Sequence, residues 1–233
     1  RGWYRAIVAV PRMPQPTRLG MITPSSNTVL EPMTAALLAG APHISSHSAR
    51  IRVTSISMGG GSTAQFDTAP MREAGWLGPD RDRAILGDIT AETGIPATSA
   101  VLDTLEALRL LEVPGFGLVT PYVADVQERV RENFEAAGFA CVADRRLDIT
   151  DNFAFAEVPE ATIEGMIREV AQDGAPAVVV LCTNLRGARL AERLEAELGI
   201  TLLDSVSVAL WGAIRAAGGD PSAIRGWGRL FEL

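Results

Sequence analysis

Cys182 closes a hydrophobic run, Ala177-Val-Val-Val-Leu-Cys182, and is followed by Thr183 and Asn184. The run reads as a fully buried strand that ends in a thiol and two small polar groups, with a helix over 189–198 beyond it. In open α/β sheets, ligands bind outside the carboxyl ends of the strands. A thiol there faces a ligand, with backbone N–H groups of the following helix at hand to lower its pKa. Position alone leaves a second reading open, because an unpaired cysteine is also a common small buried hydrophobe. Three other polar turns are expected at strand ends: Pro24-Ser25-Ser26-Asn27-Thr28, Ala97-Thr98-Ser99 and Thr120-Pro121-Tyr122. All are rich in hydroxyls, amides and backbone N–H groups and poor in charge. Neutral donors of that kind hold a carboxylate as an oxyanion hole does. Taken singly, each turn also reads as a helix cap, Ser26 or Asn27 above all.

The elements that must position these turns follow from periodicity and punctuation. Strands are expected over 18–23, 48–57 (around Ile51, Val53 and Ile56), 115–120, 139–147, 177–182 and 200–203. Helices are expected over 29–39, with Glu31 and Pro32 in the first turn, and over 81–93, closed by Gly94. Further helices cover 101–111, 124–137, 159–172 (opened by Pro159), 189–198 and 206–217. Residues 58–62 and 148–155 read as loops, 66–74 as helix-like, and 96–100 as extended. Strands alternating with helices mean parallel sheet.

Gly20-Met-Ile-Thr-Pro24 echoes Gly117-Leu-Val-Thr-Pro121 about 97 residues later, a repeated strand-and-turn unit. The fold class is therefore α/β, with two pseudosymmetric halves, each a mostly parallel sheet flanked by helices, and a cleft between them. The expected organisation is an N-terminal arm (1–16), a first half (17–112) completed in part by the helix 206–218, a second half (113–205), and a C-terminal helix and tail (206–233). One junction breaks the rhythm. The alternation calls for a strand between Ala74 and Gly75, and none is present; with a chain that begins at Arg1, the reading is of an omitted segment.

Composition excludes several chemistries. All 21 basic residues are arginine, so neither a lysine Schiff base nor a Walker A lysine is available. His43 and His47 lie far from Cys182, and no zinc-ligand spacing occurs, so no metal is expected. A net charge of −7 without a basic block argues against nucleic acid. No apolar run is long enough to span a membrane, the basic Pro-rich start is a poor signal peptide, and a cytoplasmic setting is the expectation.

The chain resembles the Asp/Glu racemase superfamily, in particular its branch of maleate cis–trans isomerases and arylmalonate decarboxylases. The carriers are Gly20-Met-Ile-Thr-Pro-Ser-Ser-Asn-Thr28, Phe66-Asp-Thr-Ala-Pro70, Gly94-Ile-Pro-Ala-Thr-Ser99, Val119-Thr-Pro-Tyr122, Leu181-Cys-Thr-Asn-Leu185 and the segment from Leu203-Asp-Ser205 to Gly218. The resemblance implies an active site between the halves, no cofactor, and two cysteines on opposite faces of the substrate. Cys182 matches the second-half cysteine. Asn27 and Tyr122 match carboxylate-binding residues and Asn152 a further one; Ser26 belongs to the same turn as Asn27, and Thr183 would add hydroxyl and backbone donors. The first-half cysteine or glycine turn would precede Gly75, at the interrupted junction. Cys141 reads as mid-strand core and does not replace it.

The expected activity is that of a cofactor-independent, maleate cis–trans isomerase-like enzyme acting on a small dicarboxylate, with Cys182 as nucleophile or acid/base, poised near neutral pH. The alternatives are a single-cysteine arylmalonate-type decarboxylase, an Asp/Glu racemase, or a catalytically silent ligand-binding relative. The N-terminal arm, with Trp3 and Tyr4, points to a homo-oligomer, dimer or higher.

Overall fold

The structure is a computed structural model that describes residues 16–51 and 78–233. Almost all of the expected arm, the loop 58–62, the helix-like stretch 66–74 and the junction Ala74–Gly75 lie outside the described residues. Six strands and eight α-helices are described: β1 (Thr17–Pro24), α1 (Leu30–Leu38), β2 (Ile44–Ile51), α2 (Pro79–Thr93), α3 (Ala100–Leu111), β3 (Gly115–Thr120), α4 (Ala124–Ala136), β4 (Ala140–Arg146), α5 (Asn152–Phe155), α6 (Glu160–Gln172), β5 (Ala177–Val180), α7 (Ala191–Leu198), β6 (Thr201–Asp204) and α8 (Ser205–Ala216). All pairings are parallel: β1 with β2 in one sheet, and β4-β3-β5-β6 in the other.

Every residue of β3, β5 and β6 is buried, as a parallel sheet covered on both faces requires. Alternate side chains sort into two cores. Phe116, Leu118, Ala177, Val179 and Leu203 join a core with α1, α3 and α8, in which Trp211 is fully buried. Val119, Val178, Val180 and Leu202 join a second core with Val126 of α4, Ile163, Ile167 and Val170 of α6, and Leu194 of α7. The helix starts are chemically marked. Ser99 accepts a hydrogen bond from the Leu102 N–H to open α3, and Asp204 accepts from the Val206 and Ser207 N–H groups to open α8. Gly94 closes α2 at a φ of 68°, in the left-handed region that glycine tolerates.

The structure departs from the periodicity in three places. The second strand begins at Ile44 rather than near 48, because Ser45, Ser46, His47 and Ser48 carry no apolar alternation and are held by the ladder to β1. The loop 148–155 contains the short helix α5, opened by the Asp151 side chain accepting from the Phe153 N–H. The helix expected from 189 starts as a 3-10 turn, Ala188–Leu190, ahead of α7.

Packing of α6 on the sheet depends on Gly117, where a Cβ would lie 1.9 Å from Val170 Cγ1 and 2.9 Å from Ala175 Cβ. Gly117→Ala should therefore destabilise the fold by about 1–3 kcal/mol through overpacking. Gly165→Ala on α6, where a Cβ meets nothing within 4 Å, should instead stabilise by about 0.5–1 kcal/mol from helix propensity. Urea denaturation of the two variants checks both signs.

Candidate active site

The carboxyl ends of β1, β3 and β5, together with α5, bring the site together. After β5 the chain passes through Leu181 to Cys182, whose side chain is buried. The turn is tight: the Cys182 N–H bonds to Val180 O, and the Leu185 N–H to Cys182 O. The same turn folds the Asn184 N–H back onto Cys182 Sγ at 3.4 Å. Tyr122, just past β3, reaches the thiol with its hydroxyl and stacks edge-on against Phe155, with ring centroids 5.7 Å apart. Its turn is held by Thr120 Oγ1, which accepts from the Tyr122 N–H at 3.2 Å and donates to Gln127 Oε1 at 2.5 Å.

The turn after β1 supplies Ser26 and Asn27, both buried. Asn27 Oδ1 accepts from the Val29 and Leu30 N–H groups, so Asn27 does cap α1. Its Nδ2 donates across the cleft to Thr183 Oγ1 at 2.9 Å. Asn152, at the start of α5, donates from Nδ2 to Ser26 Oγ at 2.6 Å. Arg50 braces the turn from behind, donating to Ser25 O and Asn27 O while paired with Glu31. Hence Ser26, Asn27, Tyr122, Asn152, Cys182 and Thr183 form one cluster drawn from four segments of the chain. The fourth polar turn behaves differently, because its hydroxyls are taken up locally. Thr98 donates to Asp103 and Ser99 to Asp82, both at 2.5 Å.

Two residues essential to the arrangement carried no assigned role in the sequence. Asn184 accepts from the Thr28 and Val29 N–H groups and donates to Ser26 O and Asn152 O. Asp204, fully buried, caps α8 and also faces the N–H groups of Gly187 and Ala188. Its signal was present, since an aspartate directly ahead of an apolar helix is a standard N-cap. Asn184 lies in a turn already suspected, but its partners are 32 to 158 residues away, beyond the reach of local pattern.

The thiol is not poised near neutrality. Burial pushes Cys182 up to about 12, against the opposing N–H of Asn184 and the Tyr122 hydroxyl, and Asp204 adds to the rise. Burial also lifts Tyr122 well above the usual phenol range, and the nearby Cys182 adds to it. Asp204 rises to about 7, again through burial, opposed by the N–H groups around it. The expected lowering by backbone donors is present but is outweighed by desolvation. At neutral pH the thiol and the phenol are therefore both protonated.

Cys141 stands apart. It pairs with Phe116 on β3, four residues before Thr120, about 13 Å along the strand at ~3.3 Å per residue. Among the described residues, no three His, Cys, Asp or Glu side chains are grouped so as to hold a metal ion, and no helix is long and apolar enough to cross a membrane.

Alkylation reports the state of the thiol. With its pKa near 12, the rate at Cys182 should climb about tenfold per pH unit from 7 to 10, because only the thiolate reacts. Site-resolved mass spectrometry after iodoacetamide treatment measures it; a plateau below pH 9 would mean an activated thiol.

Residues 74–231 match the family model for arylmalonate decarboxylase. Maleate isomerase from Nocardia farcinica is 26% identical over 240 aligned residues, covering 92% of this chain and 95% of its own. Because 92% of 233 residues is about 214, some 26 of those aligned positions have no residue in this chain. Arylmalonate decarboxylase from Bordetella bronchiseptica is 33% identical over 143 residues, 60% of this chain and 59% of that protein. The solved structure of the Nocardia farcinica maleate cis–trans isomerase bound to TRIS superposes with a TM-score of 0.81 at 26% identity, over 92% of this chain and 97% of that one. With a family match that takes in more than half of its residues, the chain belongs to the arylmalonate decarboxylase family.

Proposed function

We propose that this protein is a maleate cis–trans isomerase-like enzyme that acts on a small dicarboxylate without a cofactor, with Cys182 as its acid/base. The observation that carries this reading is the meeting of a buried, protonated thiol with carboxamides that are only half committed. A carboxamide NH2 has two hydrogens. Asn27 gives one to Thr183 and Asn152 gives one to Ser26. The second hydrogen of each is the kind of neutral donor that a carboxylate needs, and the Tyr122 hydroxyl, engaged with the thiol, stands beside them. Thr183 and Ser26 orient the two amides and add hydroxyl donors.

In the isomerase route a thiolate adds to one alkene carbon of maleate. The π electrons move to the other carbon and onto its carboxylate as an enediolate, which Cys182 protonates. The former double bond, now single, rotates. Cys182 takes the proton back, the adding sulfur leaves, and fumarate results. No cysteine precedes Gly75 in this sequence, so this route requires the first-half cysteine that the family resemblance places at the interrupted junction.

One observation favours a second reading, decarboxylation of an arylmalonate. The sequence holds only two cysteines, and the other, Cys141, sits on β4 away from the site. A single protonated thiol suffices for that reaction. One carboxylate leaves as CO2, the electron pair of the broken C–C bond becomes an enediolate, Cys182 protonates its carbon, and solvent restores the thiol. On this reading, residues 17–112 and 113–205 are the two halves that close on the substrate, and the protein is a cytoplasmic homo-oligomer; the two unpaired cysteines suit a reducing compartment.

Proton NMR decides between the routes. Incubation with maleate should give fumarate; product from an arylmalonate alone would establish the decarboxylase instead, and turnover of neither would overturn both. Cys182→Ala should reduce turnover to background with unchanged circular dichroism, and retained turnover would remove Cys182 from the chemistry. Asn27→Ala should raise KM by roughly 5- to 150-fold, the loss of one hydrogen bond to a charged group together with its partner's desolvation, about 1–3 kcal/mol. An unchanged KM would reduce Asn27 to a helix cap.

A further inference from the structure

We propose that Asn184 is the positioning residue of this site, a clamp whose side chain sets the register between the two halves and so aligns Asn27, Asn152 and Cys182 on one substrate. Its side chain is 1% exposed and its hydrogen-bonding capacity is fully used. Oδ1 accepts from the N–H of Thr28 at 2.9 Å and of Val29 at 3.3 Å. Nδ2 donates to Asn152 O at 2.5 Å and to Ser26 O at 3.4 Å. A carboxamide offers two acceptor sites and two hydrogens, so nothing is left for a ligand. Asn27 and Asn152 differ in this respect, since each amide nitrogen keeps a hydrogen beyond its bond to Thr183 or Ser26.

The anchoring points lie directly beside the groups that we assign to the substrate. Thr28 and Val29 follow Asn27, and Val29 N–H is shared between Asn27 Oδ1 and Asn184 Oδ1. Asn152 is held by its own carbonyl. Cys182 is held through the Asn184 backbone, whose N–H points at Sγ. One residue thus ties together three chain segments separated by up to 158 positions. Burial between these segments is also what keeps water from the thiol, so loosening the clamp hydrates Cys182. Among the described residues, the ionisable groups facing that thiol are Tyr122 from the end of β3 and Asp204 from the end of β6, whereas the Asn184 side chain bonds to Thr28, Val29, Ser26 and Asn152.

The inference rests on the proposed function only for its effect on turnover, so the deciding test does not use turnover. Site-resolved alkylation of Cys182 is followed against pH in the wild type, in Asn184→Ala, and in Gly117→Ala, which loosens α6 without touching the site. In Asn184→Ala the profile should move to lower pH, with about tenfold faster alkylation at pH 8, while Gly117→Ala keeps the wild-type profile. Asn184→Ser retains one hydroxyl as a polar partner for the turn after β1 and should shift the same way by less, which covers a failure of the alanine variant to fold. An unchanged profile in Asn184→Ala or, failing that, in Asn184→Ser would overturn the proposal, as would an equal shift in Gly117→Ala. Where maleate or an arylmalonate is turned over, Asn184→Ala should also lower kcat and raise KM together. A shifted profile in an enzyme that turns over neither compound would leave the clamp standing and the assigned function overturned.

Discussion

Val178 and Val180 face one core and Val179 the other, so β5 has no side open to water, and Leu181 and Cys182 just beyond its end are buried in the same two cores. The rest of the site follows from that constraint. A parallel sheet covered on both faces has polar groups to spare only at its ends, and buried donors and acceptors must be paired there. The turns after β1 and β5 and the start of α5 meet this demand partly from one another: Asn184 serves the turn after β1, Asn27 serves Thr183, and Asn152 serves Ser26. The hydrogen bonds that satisfy the ends of the strands also join the two sheets, so the packing of the fold and the arrangement of the site rest on the same contacts. That also explains why carboxamides dominate. An amide both donates and accepts, and can therefore bridge two turns, whereas a carboxylate or a guanidinium does only one of these.

Burial then decides the state of the thiol. Two backbone N–H groups and a phenol hydroxyl are aimed at Cys182, an arrangement that in a wet site would favour the thiolate. Desolvation outweighs them, and the carboxyl of Asp204 acts in the same direction. The donors retain a purpose, because they are already oriented toward the sulfur at the moment it gives up its proton. Preorganisation of this sort costs nothing during the reaction and is worth most where water is excluded.

Much of this was legible before any coordinates. The hydrophobic run into Cys182, the glycine that ends α2, the proline ahead of α6 and the alternation of strands with helices all follow from local physics, and they place the thiol at a strand end. What was not legible depends on distant pairing. Residues 45–48 are polar and signal no strand, yet they form β2 because β1 offers a ladder. Asn152 looked like loop because a four-residue helix carries no periodicity, and only the Asp151 cap betrays it. Asn184 sat in the right turn but takes its meaning from Thr28, Val29, Ser26 and Asn152. The thiol's pKa is hidden from the sequence for the same reason. The donors that lower it are local in sequence, whereas the burial that raises it is summed over the whole packed site.

A high thiol pKa fits the proposed chemistry better than a low one. A dicarboxylate brings two negative charges into a dry cluster of neutral donors, which disfavours a thiolate beside it still further. Cys182 therefore keeps its proton until the substrate develops negative charge on carbon. An enediolate carbon is a stronger base than a thiolate even of this raised basicity, so transfer from Cys182 remains favourable once that charge appears. The closer match of the two basicities keeps the reverse transfer within reach as well. Reversibility is what separates the two routes. An isomerase must recover the proton it gave, whereas a decarboxylase has already released CO2 and has no need to. A buried, reluctant acid serves both, and the discrimination falls to what stands across the substrate from Cys182.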